Sequence, residues 1–283
     1  MYQFAPVKNQ VEYSSDNQNF VWGDCKKFPI FAGPDIVEDE GMVLEVATEM
    51  KRITTELDIP WIFKSSFDKA NRQSVDSYRG PGMENALKTL EKTKAKVGCD
   101  LITDVHETVQ VERVAETADV IQIPAFLSRQ TDLVVAAAKT GKTLHLKKGQ
   151  FMAPGDMLSI AKKAESVGNS KVLLCDRGTF FGYGRLVNDF LGLVEMRNLG
   201  YPIIMDCTHS TQLPGATGKS SGGRGDLVGV LAKASIAAGV DGLFLEVHPD
   251  PSKALCDGPT SVPLGEVEAL LKQVKAIWET HSA

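Results

Sequence analysis

The sequence predicts an α/β protein with the fold of a (β/α)8 TIM barrel, preceded by a short N-terminal β-hairpin. Two observations predict this fold. Along 283 residues, eight apolar runs of strand length alternate with longer amphipathic segments of helical periodicity. Such alternation builds a parallel sheet, and a barrel of this kind typically takes about 250 residues. We therefore expect one barrel domain over residues 1–283, with residues 1–27 as the hairpin extension.

The hairpin is predicted from two strand-like segments near the start of the chain. They cover residues 7–13 and 19–22, and the segment between them, Ser-Ser-Asp-Asn, is rich in turn-forming residues. Two short strands around such a turn are typical of a hairpin.

The barrel strands are predicted where the eight apolar runs occur. These runs begin near Phe28, Trp61, Leu101, Val120, Thr143, Val172, Ile203 and Leu243. The segments between them carry apolar stripes at helical spacing, as at Val43, Val46 and Met50, which indicates helices covering a parallel sheet. An open dinucleotide-binding sheet is disfavoured because no Gly-x-Gly-x-x-Gly motif follows the first run.

Composition limits the partners and the compartment. The formal net charge is −5 and the isoelectric point is near 5.6, whereas nucleic acids and anionic membranes require a basic surface. Five scattered cysteines without a Cys-x-x-Cys pair are typical of reduced thiols. The first residues do not resemble a secretory signal, and no apolar run has transmembrane length. We expect a cytoplasmic protein that binds neither nucleic acid nor membrane.

Polar and charged residues stand at the carboxyl end of each apolar run. They are Asp35, Lys64, Asp104, His106, Gln122, Lys147, Lys148, Asp176, Arg177, Asp206, Thr208, His209, Glu246 and His248. In a parallel barrel these ends open on one face, where the loops between strands and helices build the active site. Asp104, His106 and Asp206 could instead pair with other interior charges merely to satisfy them.

The densest group of charges follows the second run. Lys64, Lys69, Asn71 and Arg72 fall within nine residues. Three cations and an amide suit a substrate that carries phosphate or carboxylate groups. The alternative is a solvated basic loop, since charge runs are common on protein surfaces.

Several long motifs carry a resemblance to a known family. They are FKSSFDKANR (63–72), SYRGPG (77–82), ITDVHE (102–107), IQIPAFLSRQTDL (121–133), KKGQF (147–151), CDRGTFFGYGRL (175–186), EVHPDP (246–251) and CDGPTSVPL (256–264). Together they resemble the 3-deoxy-D-manno-octulosonate 8-phosphate synthase family over roughly residues 28–280. The resemblance implies a transferase that condenses phosphoenolpyruvate with D-arabinose 5-phosphate and releases phosphate, in Kdo and lipopolysaccharide biosynthesis. It also implies a homotetramer of barrels.

The resemblance assigns roles to individual positions. The residues that resemble the phosphoenolpyruvate site are Lys64, Lys69, Lys147 and Arg177, with Gln122 and Gln150 as polar neighbours. The residues that resemble the sugar phosphate site are Asn71 and Arg72, with Arg129 as the arginine that reaches a neighbouring subunit's sugar phosphate. Asp104 is counted among the substrate-binding residues. His209, Glu246 and Asp257 are candidates for orienting the water or the aldehyde.

The implied reaction joins the methylene carbon of phosphoenolpyruvate to the sugar aldehyde. Water adds to the carbon that bears the phosphate ester, and the adduct collapses with loss of phosphate. Two anionic substrates repel each other, so fixed cations and positioning would carry most of the catalysis. As an alternative, Lys147 could form a Schiff base as in an aldolase, which borohydride trapping would reveal.

A divalent metal, Mn²⁺ or Mg²⁺, is a possible cofactor. Metal-dependent members of the family bind the ion through a cysteine after the first strand and through residues that match His209, Glu246 and Asp257. Metal-independent members carry asparagine in place of that cysteine, and here the residue is Asp35. Cys256 resembles the metal-independent class. Three carboxylates and a histidine, however, would repel without a cation, and such a set suits Mn²⁺ or Mg²⁺. Alternatively, Asp35 stays protonated or pairs with a lysine such as Lys64.

A glycine-rich segment covers residues 212–225, after the seventh run. Loops at this place bind phosphate or close over substrates in such barrels, and its glycines would permit closure. A connector without a catalytic role is the alternative.

Two other functions compete with the main one. The related synthase that uses erythrose 4-phosphate shares the barrel and the cations, but it typically has a Lys-Pro-Arg-Thr-like loop where this chain has Asp-Lys-Ala-Asn-Arg. A non-catalytic barrel that binds sugar phosphates is the second competitor, and it is disfavoured because the cations of the family pattern are present.

Overall fold

The computed structural model describes residues 4–180, 184–215 and 222–281. Its first element is the predicted hairpin, formed by strands β1 (Val11–Ser14) and β2 (Asn19–Trp22), which pair antiparallel. The first strand begins four residues later than we predicted. Residues 7 and 9 donate their backbone N–H groups to Gly23 and Gly200 instead of to a hairpin partner, so this segment is held against other parts of the chain.

Eight parallel strands within the described residues form a closed barrel. They are β3 (Ile30–Gly33), β4 (Trp61–Lys64), β5 (Asp100–Asp104), β6 (Val120–Ile123), β7 (Thr143–Lys147), β8 (Val172–Asp176), β11 (Ile203–Asp206) and β14 (Gly242–His248). Each strand pairs with the next, and β14 pairs with β3 to close the ring. The predicted (β/α)8 barrel with its hairpin is confirmed.

A helix follows each barrel strand in the described part of the chain. The helices are α1 (Glu40–Glu56), α2 (Met83–Val97), α3 (Val111–Thr117), α4 (Thr131–Lys139), α5 (Met157–Glu165), α6 (Phe190–Asn198), α7 (Val228–Ala237) and α8 (Leu264–Glu279). Two-residue strands lie in the loops: β9 (Thr179–Phe180), β10 (Leu186–Val187), β12 (Gln212–Leu213), β13 (Gly222–Gly223) and β15 (Val262–Pro263). Among all described helices, none has both the length and the apolar character that crossing a membrane requires.

The apolar stripes predicted from the sequence face the sheet. In α1, for example, Val43, Val46 and Met50 are fully buried. The carboxylate of Asp39 accepts a hydrogen bond from the Met42 backbone N–H at 2.9 Å and so caps the first turn of that helix. Most of the hydrophobic core lies in this layer between strands and helices.

A second apolar cluster fills the barrel interior, and the hairpin takes part in it. Its members include Val11 and Trp22 from the hairpin together with Phe31 and Phe244 from barrel strands. Gln18, in the hairpin turn, donates to the backbone oxygen of Trp61 at 2.7 Å and thereby joins the turn to β4. The hairpin therefore closes the amino end of the barrel and leaves the carboxyl end for the site.

Close approach of β3 and β4 positions the first residues of the site. A Cβ atom at Gly33 would lie 2.2 Å from the Lys64 backbone oxygen, so this position requires glycine. Beyond it, the Ser66 backbone N–H donates to the backbone oxygen of Asp35 at 3.2 Å. The two loops thus leave the barrel side by side, with Asp35 next to the lysine-rich loop.

Candidate active site

A cavity of about 370 Å³ opens at the carboxyl end of the barrel. Most of the predicted site residues line it, namely Lys64, Lys69, Asn71, Arg72, Asp104, Gln122, Lys147, Gln150, Arg177, His209 and Asp257. These residues lie at the ends of barrel strands or in the loops after them, up to about 190 positions apart in the chain, and the shared direction of the parallel strands brings them together. The charged strand ends that line the cavity therefore lie together on one face of the barrel, as we expected.

Lys64 lies on the floor of the cavity without solvent exposure. Its ammonium donates to the Ser66 hydroxyl at 2.9 Å. Burial and the neighbouring charge of Lys69 lower the pKa of Lys64 to about 8. Lys64 is therefore a cation that a bound anion would stabilise.

Lys147 and His209 share one carboxylate, that of Asp206. Lys147 Nζ lies 2.6 Å from Asp206 Oδ2, and His209 Nδ1 lies 2.7 Å from the same oxygen. Burial would raise the pKa of Asp206, but His209 and Lys147 outweigh it and hold the pKa well below its usual value. Burial lowers the pKa of His209 to about 4, so its imidazole is neutral near pH 7 and is oriented by Asp206.

Asp104 is engaged by protein groups on both of its oxygens. Ser66 donates to Oδ1 at 2.5 Å, and His106 Nε2 lies 2.9 Å from Oδ2. Burial opposes ionisation, but His106 and Lys64 keep the pKa of Asp104 well below its usual range. A network therefore runs from Lys64 through Ser66 and Asp104 to His106, and the substrate-binding role of Asp104 stays a prediction.

Some of the polar strand ends pair with each other rather than facing the cavity. Lys148 Nζ lies 3.2 Å from Asp176 Oδ2, and His248 Nε2 lies 3.6 Å from Glu38 Oε2. The first pair neutralises two buried charges, as we considered for other strand ends, whereas the distance from His248 Nε2 to Glu38 Oε2 is too long for a hydrogen bond.

A cluster of three carboxylates and one imidazole lies beside the lysines. One ligand atom from each of Asp35, His209, Glu246 and Asp257 lies within 4.8 Å of the others. Lys69 forms an ion pair with Asp35 and lies 3.8 Å from Glu246 Oε1. Our alternative in which Asp35 pairs with a lysine thus holds for Lys69 rather than for Lys64, whose ammonium donates to the Ser66 hydroxyl and reaches only the backbone oxygen of Asp35, at 3.5 Å.

The charges in this cluster are unevenly distributed. Burial would raise the pKa of Asp35, but the Lys69 ammonium outweighs it and lowers that pKa below its usual value, which favours the ionised form over the protonated alternative. Burial and the Asp35 charge raise the pKa of Glu246 well above its usual value, and the same two causes raise that of Asp257 to about 6. Burial would lower the pKa of Lys69, but Asp35 and Glu246 raise it well above its usual value.

The cluster fits a divalent cation in its donor chemistry. All four carboxylate oxygens of Asp35 and Glu246 are buried, and among the described residues no backbone N–H or hydroxyl group donates a hydrogen bond to them; their nearby basic groups are Lys69 and, 3.3 Å from Glu246 Oε1, the imidazole of His209. Buried carboxylates without such partners are costly unless a cation neutralises them. Oxygen-rich sets with one imidazole suit Mn²⁺ or Mg²⁺. Lys69 supplies one positive charge at this place, and a metal ion would supply two.

Two contacts that the sequence did not predict connect the cluster to the arginines. Gln212 accepts a hydrogen bond from Arg177 Nη2 at 2.5 Å and donates one to Asp257 Oδ2 at 2.5 Å. Arg72 Nη1 lies 2.5 Å from Cys256 Sγ. The signals for Gln212 were its place three residues after His209 and its position at the start of the glycine-rich segment, where β12 begins.

Arg129 lies outside the cavity of its own chain. Its side chain is exposed, and its backbone oxygen accepts a hydrogen bond from Lys163 at 2.8 Å. Residues 216–221, the central part of the glycine-rich segment 212–225, lie outside the described residues; on either side of them, β12 pairs with β13.

The fold and the site define a class of protein: a (β/α)8 barrel that collects lysines, an arginine and a carboxylate cluster in one cavity. The chain matches the DAHP synthetase I family over residues 7–282, and it belongs to that family.

Individual relatives agree with one another in name. A protein of Geotalea uraniireducens called 2-dehydro-3-deoxyphosphooctonate aldolase is 51% identical over 255 residues, which cover 90% of this chain and 94% of that protein. Proteins of the same name are 51% identical over 255 residues in a Cyanothece species and 51% identical over 259 residues in Geotalea daltonii. They cover 90% and 92% of this chain, and 93% and 95% of their own lengths.

Proposed function

We propose that the protein condenses phosphoenolpyruvate with D-arabinose 5-phosphate and water, giving 3-deoxy-D-manno-octulosonate 8-phosphate and inorganic phosphate. The enzyme is a transferase of Kdo and lipopolysaccharide precursor biosynthesis. The relatives named 2-dehydro-3-deoxyphosphooctonate aldolase match nearly the whole chain at about half identity. The observation that carries the proposal is the cavity in which Lys64, Lys69, Lys147 and Arg177 converge.

The cations suit phosphoenolpyruvate, which carries a phosphate and a carboxylate. Lys64, Lys147 and Arg177 are each at most 7% exposed, so their charges are little screened by water and act strongly on a bound anion. The guanidinium fork of Arg177 suits a phosphate oxygen pair, whereas a lysine ammonium suits compact charge. Gln122 and Gln150 line the same cavity and offer amide groups to the remaining oxygens.

The sugar phosphate would enter at the mouth of the cavity. Asn71 is exposed and Arg72 is half-buried, and both line the opening. We assign the sugar phosphate to these two residues and to Arg129 of a neighbouring subunit in a homotetramer. Phe126 lines this opening and Phe151 follows the lining residue Gln150 in the chain; their exposed side chains, with 54% and 61% of their surface accessible, support an interface there.

The reaction joins C3 of phosphoenolpyruvate to C1 of the sugar, whose aldehyde oxygen takes up a proton. Water adds to C2, and loss of phosphate from that carbon leaves the ketone. Asp257 has a pKa raised to about 6 by burial and by Asp35, which suits a group that accepts a proton from water near neutral pH. Neutral His209, held by Asp206, orients the reacting groups.

Asp35, His209, Glu246 and Asp257 would hold a divalent metal. When bound, such an ion would neutralise the carboxylates and polarise an oxygen of water or aldehyde. Lys69 remains beside Asp35 and Glu246 and shares that neutralisation.

We assign the enzyme to the cytoplasm. All five cysteines are free, which is typical of a reducing compartment.

Phosphate release tests the proposal. The enzyme is incubated with phosphoenolpyruvate and either D-arabinose 5-phosphate or erythrose 4-phosphate, and phosphate and the new sugar acid are measured. We expect turnover with the five-carbon sugar and much less with the four-carbon sugar. Preference for erythrose 4-phosphate would indicate the related synthase, and no turnover with either would indicate a binding protein. Borohydride trapping of an adduct on Lys147 would replace the charge-clamping mechanism with a Schiff base.

A further inference from the structure

One aromatic side chain lies beneath two lysines of the cavity, Lys64 and Lys147. Phe244 is fully buried in the barrel interior, opposite Asp206 on β11 and opposite Phe31 on β3. The ammonium of Lys147 lies 3.8 Å from the centroid of its ring, and that of Lys64 lies 5.4 Å from it. Both distances are within the range of cation–π attraction.

We propose that Phe244 is a positioning residue for the condensation, because the face of its ring holds the Lys147 ammonium where phosphoenolpyruvate binds. The inference rests on the proposed function. Lys147 is only 4% exposed, and the Asp206 oxygen that it contacts also serves His209. Because Asp206 is shared with His209, it neutralises the desolvated Lys147 ammonium only in part. The negative face of an aromatic ring stabilises the positive charge that remains.

A column of packed rings supports Phe244 from below. The His145 ring stacks on Phe244 at 5.8 Å with an interplanar angle of 13°, and it contacts Phe31 at 4.9 Å with a tilt of 57°. Phe31 in turn stacks on Trp22 of the hairpin at 5.7 Å. These rings connect the closed amino end of the barrel to the lysines, and close packing leaves Phe244 little freedom to move.

Neutral His145 is compatible with this role. Burial and the Lys147 charge lower the pKa of His145 well below its usual value, so the ring adds no positive charge under the two lysines near pH 7. A protonated ring there would repel the ammonium groups that Phe244 attracts.

Fluorinated phenylalanines separate this role from mere packing. Replacing Phe244 with 4-fluoro-, 3,5-difluoro- and 3,4,5-trifluorophenylalanine weakens the negative face stepwise while changing ring size little. We expect kcat/KM for phosphoenolpyruvate to fall with each step, by roughly tenfold over the series, which converts to about 1.4 kcal/mol. The same series at Phe63 is the control, because this buried phenylalanine of β4 packs in the outer core, with no cation over its ring in the described chain.

Three outcomes decide the inference. A stepwise fall at Phe244 with a flat series at Phe63 and unchanged melting temperatures supports it. A flat series at Phe244, or a fall that follows loss of thermal stability equally at both positions, overturns it. If the unmodified enzyme does not turn over, the proposed function fails. Calorimetric titration of phosphoenolpyruvate into the same variants then still tests the role of the ring. The affinity for phosphoenolpyruvate falls stepwise if Phe244 positions Lys147, and it stays constant if Phe244 does not.

Discussion

Opposite charges in the cavity neutralise one another in the structure as described. Lys147 contacts Asp206, and Lys69 contacts Asp35 and Glu246. A bound anion must therefore compete with carboxylates of the enzyme for these lysines. The free energy of substrate binding is therefore smaller than unpaired lysines would give. Because these lysines are already fixed in place, they stabilise charge that develops in the transition state without reorganising.

The carboxylate cluster leads to a prediction about metal. Calorimetric titration of Mn²⁺ into chelator-treated enzyme should show one site per chain. The substitution Asp35→Asn should weaken that binding by roughly 100-fold, because it removes a charged ligand and leaves Lys69 without its nearest anion.

Asp58→Asn is the matched control for this experiment, since Asp58 is exposed and pairs with Lys27 outside the cavity. Equal Mn²⁺ affinity in the Asp35 variant and the wild type would place the ion elsewhere. Undiminished phosphate release after exhaustive chelation would show that catalysis needs no metal.

At this scale the sequence predicted which residues meet but not how they pair. The charge at the end of each apolar run was visible, because polar residues interrupt strongly apolar segments. The partner of Asp35 was not visible in the sequence, because Lys69 reaches Asp35 from a loop whose path depends on the tertiary structure. Gln212 and Phe244 were missed for different reasons: one is an ordinary amide in a polar segment, and the other is an apolar residue within an apolar run.

Among the secondary-structure elements, the positions of the strands were predicted best. The eight runs begin within two residues of the observed barrel strands, since buried parallel strands are almost continuously apolar. The first hairpin strand was predicted too early. Val7 and Val11 are both buried, but backbone bonding to Gly23 rather than to a second strand decides the conformation near residue 7. Apolar pattern alone does not report backbone partners.

The contact between β3 and β4 leads to a prediction about stability. Gly33→Ala should lower the free energy of unfolding by about 1–3 kcal/mol, because the added Cβ would lie 2.2 Å from the Lys64 backbone oxygen and 2.8 Å from the Phe63 ring. Denaturant unfolding followed by circular dichroism measures it.

Gly265→Ala in α8 is the control for this substitution, since nothing lies within 4 Å of a Cβ at that position. Alanine favours the helix there and should stabilise the protein slightly. Similar changes in the free energy of unfolding of the two variants would mean that β3 and β4 can move apart at little cost in free energy.

The molecule as a whole should lose stability in mild acid, in part through His145. Its pKa is lowered in the folded protein by burial and by Lys147, whereas in the unfolded chain it is near 6.5. Below pH 6.5 the unfolded chain therefore binds a proton that the folded protein does not, so the free energy of unfolding falls as the pH falls.

The contribution of His145 approaches about 1.4 kcal/mol per pH unit below pH 6.5, and His145→Asn should remove it. Chemical unfolding of both proteins at several values between pH 7 and pH 5 measures the difference, in which shared contributions such as that of His209 largely cancel. Parallel curves for the two proteins would mean that His145 is protonated in the folded state.

The exposed position of Arg129, outside the cavity of its own chain, leads to a prediction about assembly. If Arg129 completes the sugar phosphate site of a neighbouring subunit, Arg129→Ala and Lys147→Met should each lose most activity alone but recover some when co-expressed. In a random mixture, roughly a quarter of the sites would combine an intact Lys147 with an intact Arg129 from the neighbour. Phosphate release by hybrids purified through two different tags measures the recovery. A site that uses only its own Arg129 gains nothing from a neighbour. If the hybrids are no more active than the separate variants, each barrel therefore works alone.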